Sequence, residues 1–228
     1  MLRLLYTALM RNRKFVLIDF DGVIADTWDI AFETARTVFP SFDEVSYRRM
    51  FEGNVYEAHE RMVANNERER ASDVEWFDIY VPKFEERAQL FDGICDVIEK
   101  LSHEYVLIIV SSTITSPIQG FLEKHHIGRY FSEVMGSDVH TSKHEKIRMV
   151  LEKYGIQPND CVFITDTLGD MREAKAAGVG AIGVSWGFHS RETLAKGEPF
   201  RIVDKAAEIP ASITNYFENQ RGQTSSSG

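Results

Sequence analysis

The chain has 228 residues, 43% of them hydrophobic, which is enough for one full core and a small second module. Its net charge of -9 argues against non-specific binding to nucleic acid polymers or to anionic membranes. No apolar run approaches the roughly 20 residues that a membrane-spanning helix needs. These properties exclude a fibre, a membrane span and a basic nucleic-acid binder, and leave a globular protein whose pocket can still bind a small anion.

Two features of the chain bear on its cellular setting. Residues 1–14 are expected to form a leader or arm, because basic residues follow the apolar stretch, whereas in a signal peptide they precede it. The sequence leaves open whether this arm belongs to the folded protein. Cys95 and Cys161 lie in apolar segments typical of reduced core thiols, which predicts a cytoplasmic protein without a disulfide framework.

The first predicted strand, residues 15–18, is apolar throughout, as in strands of parallel sheets that are buried on both faces. From residue 26 to residue 90 the strand pattern is missing. Aromatic and aliphatic residues recur there at helical spacing and predict three helices, around residues 28–39, 56–63 and 74–81. We therefore expect a helical cap, residues 26–90, inserted into an α/β core formed by residues 15–25 and 91–218. The aromatic residues of the insert are interpreted as its core.

After the insert, helix and strand patterns alternate to the end of the core, which is typical of a doubly wound, Rossmann-like parallel sheet. The predicted strands cover residues 105–110, the region near Val134, and residues 161–165, 181–185 and 201–203. The predicted helices cover residues 94–101, 119–125, 143–154 and 170–177, with a last helix through Phe217. Residues 219–228 are polar and rich in Ser and Gly, and are expected to form a disordered tail.

Three of the predicted strands end in polar residues that suit phosphate or metal chemistry. These are Asp19 and Asp21, then Ser111 and Ser112, then Asp166 with Asp170 one helical turn later. Parallel strands place such ends at one edge of the sheet, where ligands bind in open α/β folds. Several carboxylates in one small volume repel each other unless a hard cation lies among them, which predicts a Mg²⁺ site.

The three segments that carry these residues, together with Lys143 at a helix start, resemble the four motifs of the haloacid dehalogenase superfamily of hydrolases. They are Asp19-Phe20-Asp21-Gly22-Val23, Ser111, Lys143 and Thr165-Asp166-Thr167-Leu168-Gly169-Asp170. The resemblance is closest to the phosphoglycolate-phosphatase-like branch, which has a small helical cap. It implies a Mg²⁺-dependent phosphatase that acts on a small phosphorylated metabolite: a phosphoglycolate-like ester, a sugar phosphate or a nucleotide.

The resemblance also implies a role for each residue. Asp19 would be the nucleophile that forms an aspartyl-phosphate, and Asp21 the general acid and later the base. The metal would be held by the Asp19 carboxylate, the Asp21 backbone carbonyl, Asp166 and Asp170. Ser111, the Ser112 amide and Lys143 would bind the phosphate group. The family's dehalogenases lack an aspartate at the position of Asp21, so its presence favours phosphate chemistry.

The chain departs from the family pattern at two positions. Lys143 is followed by His144-Glu145-Lys146 where the family usually has prolines, so Lys146 is the alternative phosphate-binding lysine. Thr165 stands where glycine is more common. Ser142 and Glu145 are predicted to form a capping box at the start of the Lys143 helix.

Within the cap, Arg48, Arg49 and the turn at Gly53 and Asn54 are candidates for contact with the leaving group. Residues 22–26 and 90–93 are predicted hinges of cap closure.

Three other functions stay open from the sequence. A β-phosphoglucomutase-like phosphotransferase would use the same residues and return phosphate to a sugar. A pyrophosphatase would act on another leaving group, and a non-catalytic phosphate-binding module would keep the fold without turnover. The pair Asp19 and Asp21 argues against the last, because only catalysis requires both. The sequence leaves the oligomeric state open.

Overall fold

The computed structural model describes residues 13–65 and 76–225, so most of the predicted N-terminal arm lies outside the described residues. Its centre is a six-stranded sheet in the order β5-β4-β1-β6-β7-β8, and every neighbouring pair is parallel. The strands are β1 (Phe15–Ile18), β4 (Val106–Val110), β5 (Phe131–Met135), β6 (Cys161–Thr165), β7 (Gly180–Val184) and β8 (Arg201–Val203). A second, antiparallel pair consists of β2 (Ala25–Asp26) and β3 (Gln89–Leu90).

Helices flank this sheet and fill the insert. Those of the insert are α1 (Trp28–Val38), α2 (Glu44–Met50), α3 (Val55–Asn65) and α4 (Trp76–Arg87). Those that follow are α5 (Ile94–Glu104), α6 (Thr115–Lys124), α7 (Lys143–Tyr154), α8 (Leu168–Ala176), α9 (Arg191–Ala195) and α10 (Ile209–Ser225). The prediction of a doubly wound α/β fold with a helical insertion after the first strand is confirmed.

The central sheet is buried on both faces. Along β1, Val16 and Ile18 belong to one apolar cluster, and Phe15 and Leu17 belong to another. Side chains alternate between the two faces of a strand, so each face of β1 needs its own covering layer. The apolar run read from the sequence reflects this two-sided burial.

The insert differs in detail from the sequence-based description. α2 is an additional helix, and its N-cap Asp43 accepts a hydrogen bond from the Ser46 amide at 2.7 Å. A seven-residue helix offers too few turns to display a clear apolar period, which is why the pattern did not reveal it. The chain enters the insert on β2 and leaves it on β3, and these segments pair at the two predicted hinges.

The predicted disordered tail is wrong for residues 219–225, because α10 continues to Ser225. A helix that packing has already nucleated can extend through polar residues at little cost, although such residues show no apolar period. No helix among residues 13–65 and 76–225 is long and apolar enough to cross a membrane. Cys95 and Cys161 are free thiols.

Candidate active site

The candidate site lies where the order of the strands reverses, at the carboxyl ends of β1, β4 and β6. From β1 the chain builds the sheet outward through β4 and β5, then returns to the other side of β1 with β6. Ile18 is in register with Ile109 of β4 and Ile164 of β6. The residues that follow these three positions therefore meet in one crevice, the usual ligand site of such a sheet.

Lys143 links two of the predicted carboxylates. Its Nζ lies 2.7 Å from Asp19 Oδ2 and 2.7 Å from Asp170 Oδ2, and all three side chains are buried. Burial alone would lower the pKa of Lys143, but the carboxylates of Asp170 and Asp19 raise it above its ordinary value. The lysine is therefore a fixed cation between these two carboxylates.

Asp166 completes a cluster of buried acids. One oxygen each from Asp19, Asp166 and Asp170 lie within 4.8 Å of one another. Asp166 Oδ2 accepts a 2.6 Å hydrogen bond from the Phe188 amide, while the buried Oδ1 atom has no partner. Burial raises the pKa of Asp166 to about 7, and burial also raises the pKa of Asp19, although Lys143 opposes that shift.

This cluster fits a hard divalent cation. A buried carboxylate oxygen without a partner is costly, and Mg²⁺ takes carboxylate oxygens with water and substrate oxygens. Such a donor set is supplied by the carboxylates of Asp19, Asp166 and Asp170, including the unpaired Oδ1 atom of Asp166. The Asp170 carboxylate is further held by a 2.6 Å hydrogen bond from the Thr165 hydroxyl.

Gly22 makes the close approach of β1 to Asp166 possible. Its φ is +73°, and a Cβ atom there would lie 2.0 Å from Asp166 Oδ2. Any side chain at this position would both strain the backbone and displace the carboxylate. The glycine after Asp21 is therefore a requirement of the site's geometry.

The Asp21 side chain is held apart from the acid cluster by two hydroxyl groups. Tyr80 Oη donates to Asp21 Oδ1 at 2.7 Å, and Thr113 Oγ1 donates to Oδ2 at 2.8 Å. Ser111 Oγ lies 3.4 Å from the same Oδ2 atom. Asp21 thus joins the end of β1 to the end of β4 and to helix α4 of the insert.

The predicted phosphate-binding residues fall into two groups. Ser112 and Lys143 line the same cavity as Asp19 and Asp21, whereas Ser111 is fully buried and accepts a 2.9 Å hydrogen bond from the Thr113 amide. Lys146, the alternative lysine, donates to the backbone carbonyls of Ser111 and Gly136. Burial, followed by the nearby charge of Lys143, lowers the pKa of Lys146 to about 7.

The start of α7 confirms half of the predicted capping box. Ser142 Oγ accepts a hydrogen bond from the Glu145 amide at 3.3 Å. The predicted reciprocal bond, from the Ser142 amide to the Glu145 side chain, does not form, because the Ser142 amide donates to His140 Nδ1 at 2.9 Å. The Glu145 carboxylate instead pairs with Arg148 on the exposed face.

The segment between α2 and α3 is bonded directly to the core beside the acid cluster. The Gly169 amide donates to the Phe51 carbonyl at 2.8 Å, and Asn54 Nδ2 lies 3.2 Å from Glu173 Oε1. His189 accepts from the Leu168 amide at Nδ1 and bonds the Arg48 carbonyl through Nε2 at 2.8 Å. These bonds connect the insert to the core at the edge of the crevice.

The insert and the core line a cavity of about 210 Å³ between them. The charged residues of its lining are Asp19, Asp21, Lys143, Asp170 and Glu173. Of the leaving-group candidates, Gly53 lines the cavity; Arg49 is exposed, and the Arg48 guanidinium lies 3.6 Å from the Trp28 ring centre.

Sequence reasoning missed Tyr80 and Thr113, which bond Asp21, and Tyr56, which donates to the Ser112 carbonyl at 2.7 Å. Thr113 directly follows the Ser111-Ser112 pair, so its position after a strand end was a usable signal. The two tyrosines lie far from their partners in the chain. Sequence alone does not distinguish an aromatic residue of the site from one of the insert's core, so these residues were missed.

Comparisons with known proteins agree with this geometry. The family of haloacid dehalogenase-like hydrolases matches the chain over residues 16–184. A phosphoglycolate phosphatase of Synechococcus elongatus is 24% identical over 216 residues, covering 89% of this chain and 98% of the relative. A phosphoglycolate phosphatase of Vibrio vulnificus is 26% identical over 215 residues, covering 86% and 94%.

Solved structures show the same fold. A haloacid dehalogenase-like hydrolase from Streptococcus pneumoniae superposes with a TM-score of 0.73 at 24% identity, covering 88% of this chain and 98% of that one. The family match includes the strand ends that carry Asp19, Ser111 and Asp166. The chain therefore belongs to the haloacid dehalogenase-like hydrolases, and the expectation of a phosphatase of the phosphoglycolate-phosphatase-like type is confirmed at the level of family and enzyme class.

Proposed function

We propose that this enzyme hydrolyses a small phosphomonoester through an aspartyl-phosphate on Asp19, with Mg²⁺ as its cofactor. The observation that carries the proposal is the arrangement of Asp19 at the junction of the acid cluster, Lys143 and the cavity. A carboxylate is an established nucleophile for phosphoryl groups when nearby positive charge offsets its repulsion with the substrate.

The residues account for both halves of the reaction. In the first, the Asp19 carboxylate attacks phosphorus, the bond from phosphorus to the leaving oxygen breaks, and Asp21 gives that oxygen a proton. In the second, Asp21 takes a proton from a water molecule that attacks the same phosphorus, and inorganic phosphate leaves with Asp19 restored. Thr113 and Tyr80 hold Asp21 for both proton transfers.

Positive charge is provided at the site from two sources. Asp19, Asp166 and Asp170 would hold Mg²⁺, with the Asp21 carbonyl as the further expected ligand, and the ion would neutralise charge on the phosphate. Lys143 supplies a second cation next to Asp19. We assign phosphate binding to Lys143, Ser112 and Ser111. Lys146 has a separate role, because its ammonium group donates to the Ser111 carbonyl and so positions the loop after β4.

The test is release of inorganic phosphate from phosphoglycolate, sugar phosphates, nucleotides and simple alkyl phosphates, measured with Mg²⁺ and with EDTA. We expect release only with the metal, and a loss of at least about 1,000-fold in kcat for Asp19→Asn. Asp96→Asn, an exposed aspartate on α5, is the matched control and should retain the wild-type rate. Release by Asp19→Asn at the wild-type rate would refute the proposal.

The same assay separates the other functions. A requirement for a sugar bisphosphate would indicate a phosphotransferase, and two phosphates released from pyrophosphate would indicate a pyrophosphatase. Phosphate binding without turnover would indicate a binding module. The free thiols of Cys95 and Cys161 support the proposed cytoplasmic location.

A further inference from the structure

The cavity changes character sharply from one end to the other. Away from the carboxylates, its wall is formed by side chains of the insert, chiefly Phe39, Phe42, Tyr47, Phe51, Trp76 and Phe77. Ala31 and Ala35 of α1 also line it, and their small side chains leave room between the rings. The part of the substrate that extends from phosphorus into the insert therefore meets an apolar, aromatic surface.

The aromatic wall is continuous. The Tyr47 ring centre lies 5.7 Å from that of Phe42, 5.2 Å from that of Phe51 and 6.5 Å from that of Trp76. Offset and edge-to-face contacts at such separations are favourable and orient the rings. These contacts fix the shape of the wall before any substrate binds.

Among the described residues, the cavity lining contains one lysine, Lys143, and no arginine that could recognise a second negative group. Lys143, at the charged end, already contacts Asp19 and Asp170. Arg48 lies over Trp28 outside the cavity lining, and Arg49 is exposed. The insert also brings His59 and the hydroxyls of Tyr47, Tyr56 and Tyr80 to the cavity lining. Tyr56 donates to the Ser112 carbonyl and Tyr80 to Asp21, while His59 is exposed and packs edge-on to Phe39 with 5.7 Å between ring centres.

We propose that the substrate is a phosphomonoester of an apolar, aromatic alcohol, bound with its ring against the insert and its phosphate at Asp19. This inference rests on the proposed phosphatase function and specifies its leaving group. A glycolate or polyhydroxylated leaving group would bury a carboxylate or several hydroxyls on a wall that offers few partners, which is unfavourable. An aromatic ring would bind the same wall favourably, because its apolar surface is removed from water and because it stacks on the aromatic side chains.

Esters of primary alcohols test the proposal, because their bonds to phosphorus are of similar intrinsic reactivity. We would compare kcat/KM for 2-phenylethyl phosphate, butyl phosphate, ethyl phosphate, glycerol 3-phosphate and phosphoglycolate on the full chain with Mg²⁺. We expect 2-phenylethyl phosphate to exceed phosphoglycolate by about 100-fold, with butyl phosphate in between. A preference for phosphoglycolate or glycerol 3-phosphate would overturn the inference and leave the phosphatase function intact.

A variant of the wall tests the same claim from the protein side. Trp76→Ala should lower the ratio of kcat/KM for 2-phenylethyl phosphate to that for ethyl phosphate by about tenfold. Phe200→Ala removes an aromatic ring that is 37% exposed and outside the cavity, and should leave this ratio unchanged. An unchanged ratio in Trp76→Ala, with a melting curve like that of the wild type, would contradict the proposed role of the wall.

The two proposals fail in different ways. Release of phosphate neither from these esters nor from the sugar phosphates and nucleotides of the wider panel would overturn the phosphatase function, and the inference with it. Release from the sugar phosphates or nucleotides alone would overturn only the inference. Release from all esters with equal kcat/KM would overturn only the inference, because an enzyme that uses the wall must discriminate between leaving groups.

Discussion

At the scale of single residues, the site depends on how closely the backbone at Gly22 approaches Asp166. Gly22 and Gly93 share a φ of +73°, but only Gly22 has heavy atoms within 4 Å of the Cβ position. Alanine substitutions at these two glycines therefore separate the free-energy cost of backbone strain from that of displacing the Asp166 carboxylate.

Gly22→Ala should lower the free energy of unfolding by at least about 3 kcal/mol and abolish phosphate release, because its methyl group collides with Asp166. Gly93→Ala should lose only about 1 kcal/mol and remain active, because its backbone is strained but its surroundings are open. Urea denaturation and the phosphate assay measure both effects. Equal losses in the two variants would refute the steric argument.

Tyr80 provides a second residue-scale prediction. Its hydroxyl donates to Asp21, and burial followed by the Asp21 charge raises its pKa, so it stays protonated. Tyr80→Phe keeps the ring and removes only this bond, and kcat should fall by about tenfold to a hundredfold with little change in KM. Tyr105→Phe, whose ring stacks on Phe217 away from the site, should keep the wild-type kcat. An unchanged kcat in Tyr80→Phe would remove Tyr80 from its positioning role.

At the scale of elements, α1 and α4 are joined on their outer side by Glu33. Lys83 Nζ lies 2.8 Å and an Arg87 nitrogen 2.6 Å from its two oxygens. Hydrogen bonds from Lys83 and Arg87 lower the pKa of Glu33 to about 2. Solvent and salt screen this exposed group, so its contribution to stability is far smaller than the pKa shift alone implies.

Glu33→Gln should lower the free energy of unfolding at pH 7 by less than about 1 kcal/mol. Because the folded pKa is the lower one, the wild type's advantage is full above the ordinary value of 4.5 and is lost as the pH falls towards 2. Melting temperatures of both proteins between pH 2 and pH 7, at low and high salt, measure the difference. Glu85→Gln on α4 is the control, because Glu85 is exposed and has no ion pair among the described residues. A difference in melting temperature that grows on acidification would contradict the prediction.

The elements also show what a sequence can predict here. Apolar runs that end at Asp19, Ser111 and Asp166 predicted the central strands, because strands buried on both faces leave a pattern independent of their partners. No sequence pattern predicts the contact of Tyr80 with Asp21, because the two residues are 59 positions apart and meet only through the packing of the whole insert. Trp76 and Phe77 pack against the core, as expected for aromatic residues of the insert, and they also line the cavity. Helical spacing alone does not show which rings face a cavity.

At the scale of the whole molecule, the chain concentrates buried acids at the junction between sheet and insert. Binding of Mg²⁺ at Asp19, Asp166 and Asp170 should therefore stabilise the entire fold by mass action. At a concentration about 100 times the Kd, the gain is about 2.7 kcal/mol, or roughly 5 to 10 °C in Tm for a chain of this size.

Thermal unfolding with and without Mg²⁺ measures this gain apart from any turnover. Asp166→Asn should abolish the shift, whereas Asp96→Asn on the surface of α5 should show the same shift as the wild type. An Asp166→Asn variant that responds to Mg²⁺ like the wild type would place the metal elsewhere.

The central claim is that Asp19 itself accepts the phosphoryl group. The most direct measurement is to quench the enzyme during turnover with Mg²⁺ and a phosphomonoester, reduce it with borohydride, and sequence its peptides by mass spectrometry. Borohydride reduces an acyl phosphate to an alcohol with loss of phosphate. We therefore expect homoserine in place of Asp19 in protein quenched with substrate, and none in protein that never received substrate. Phosphate release at full rate with Asp19 unmodified in every quenched sample would contradict it.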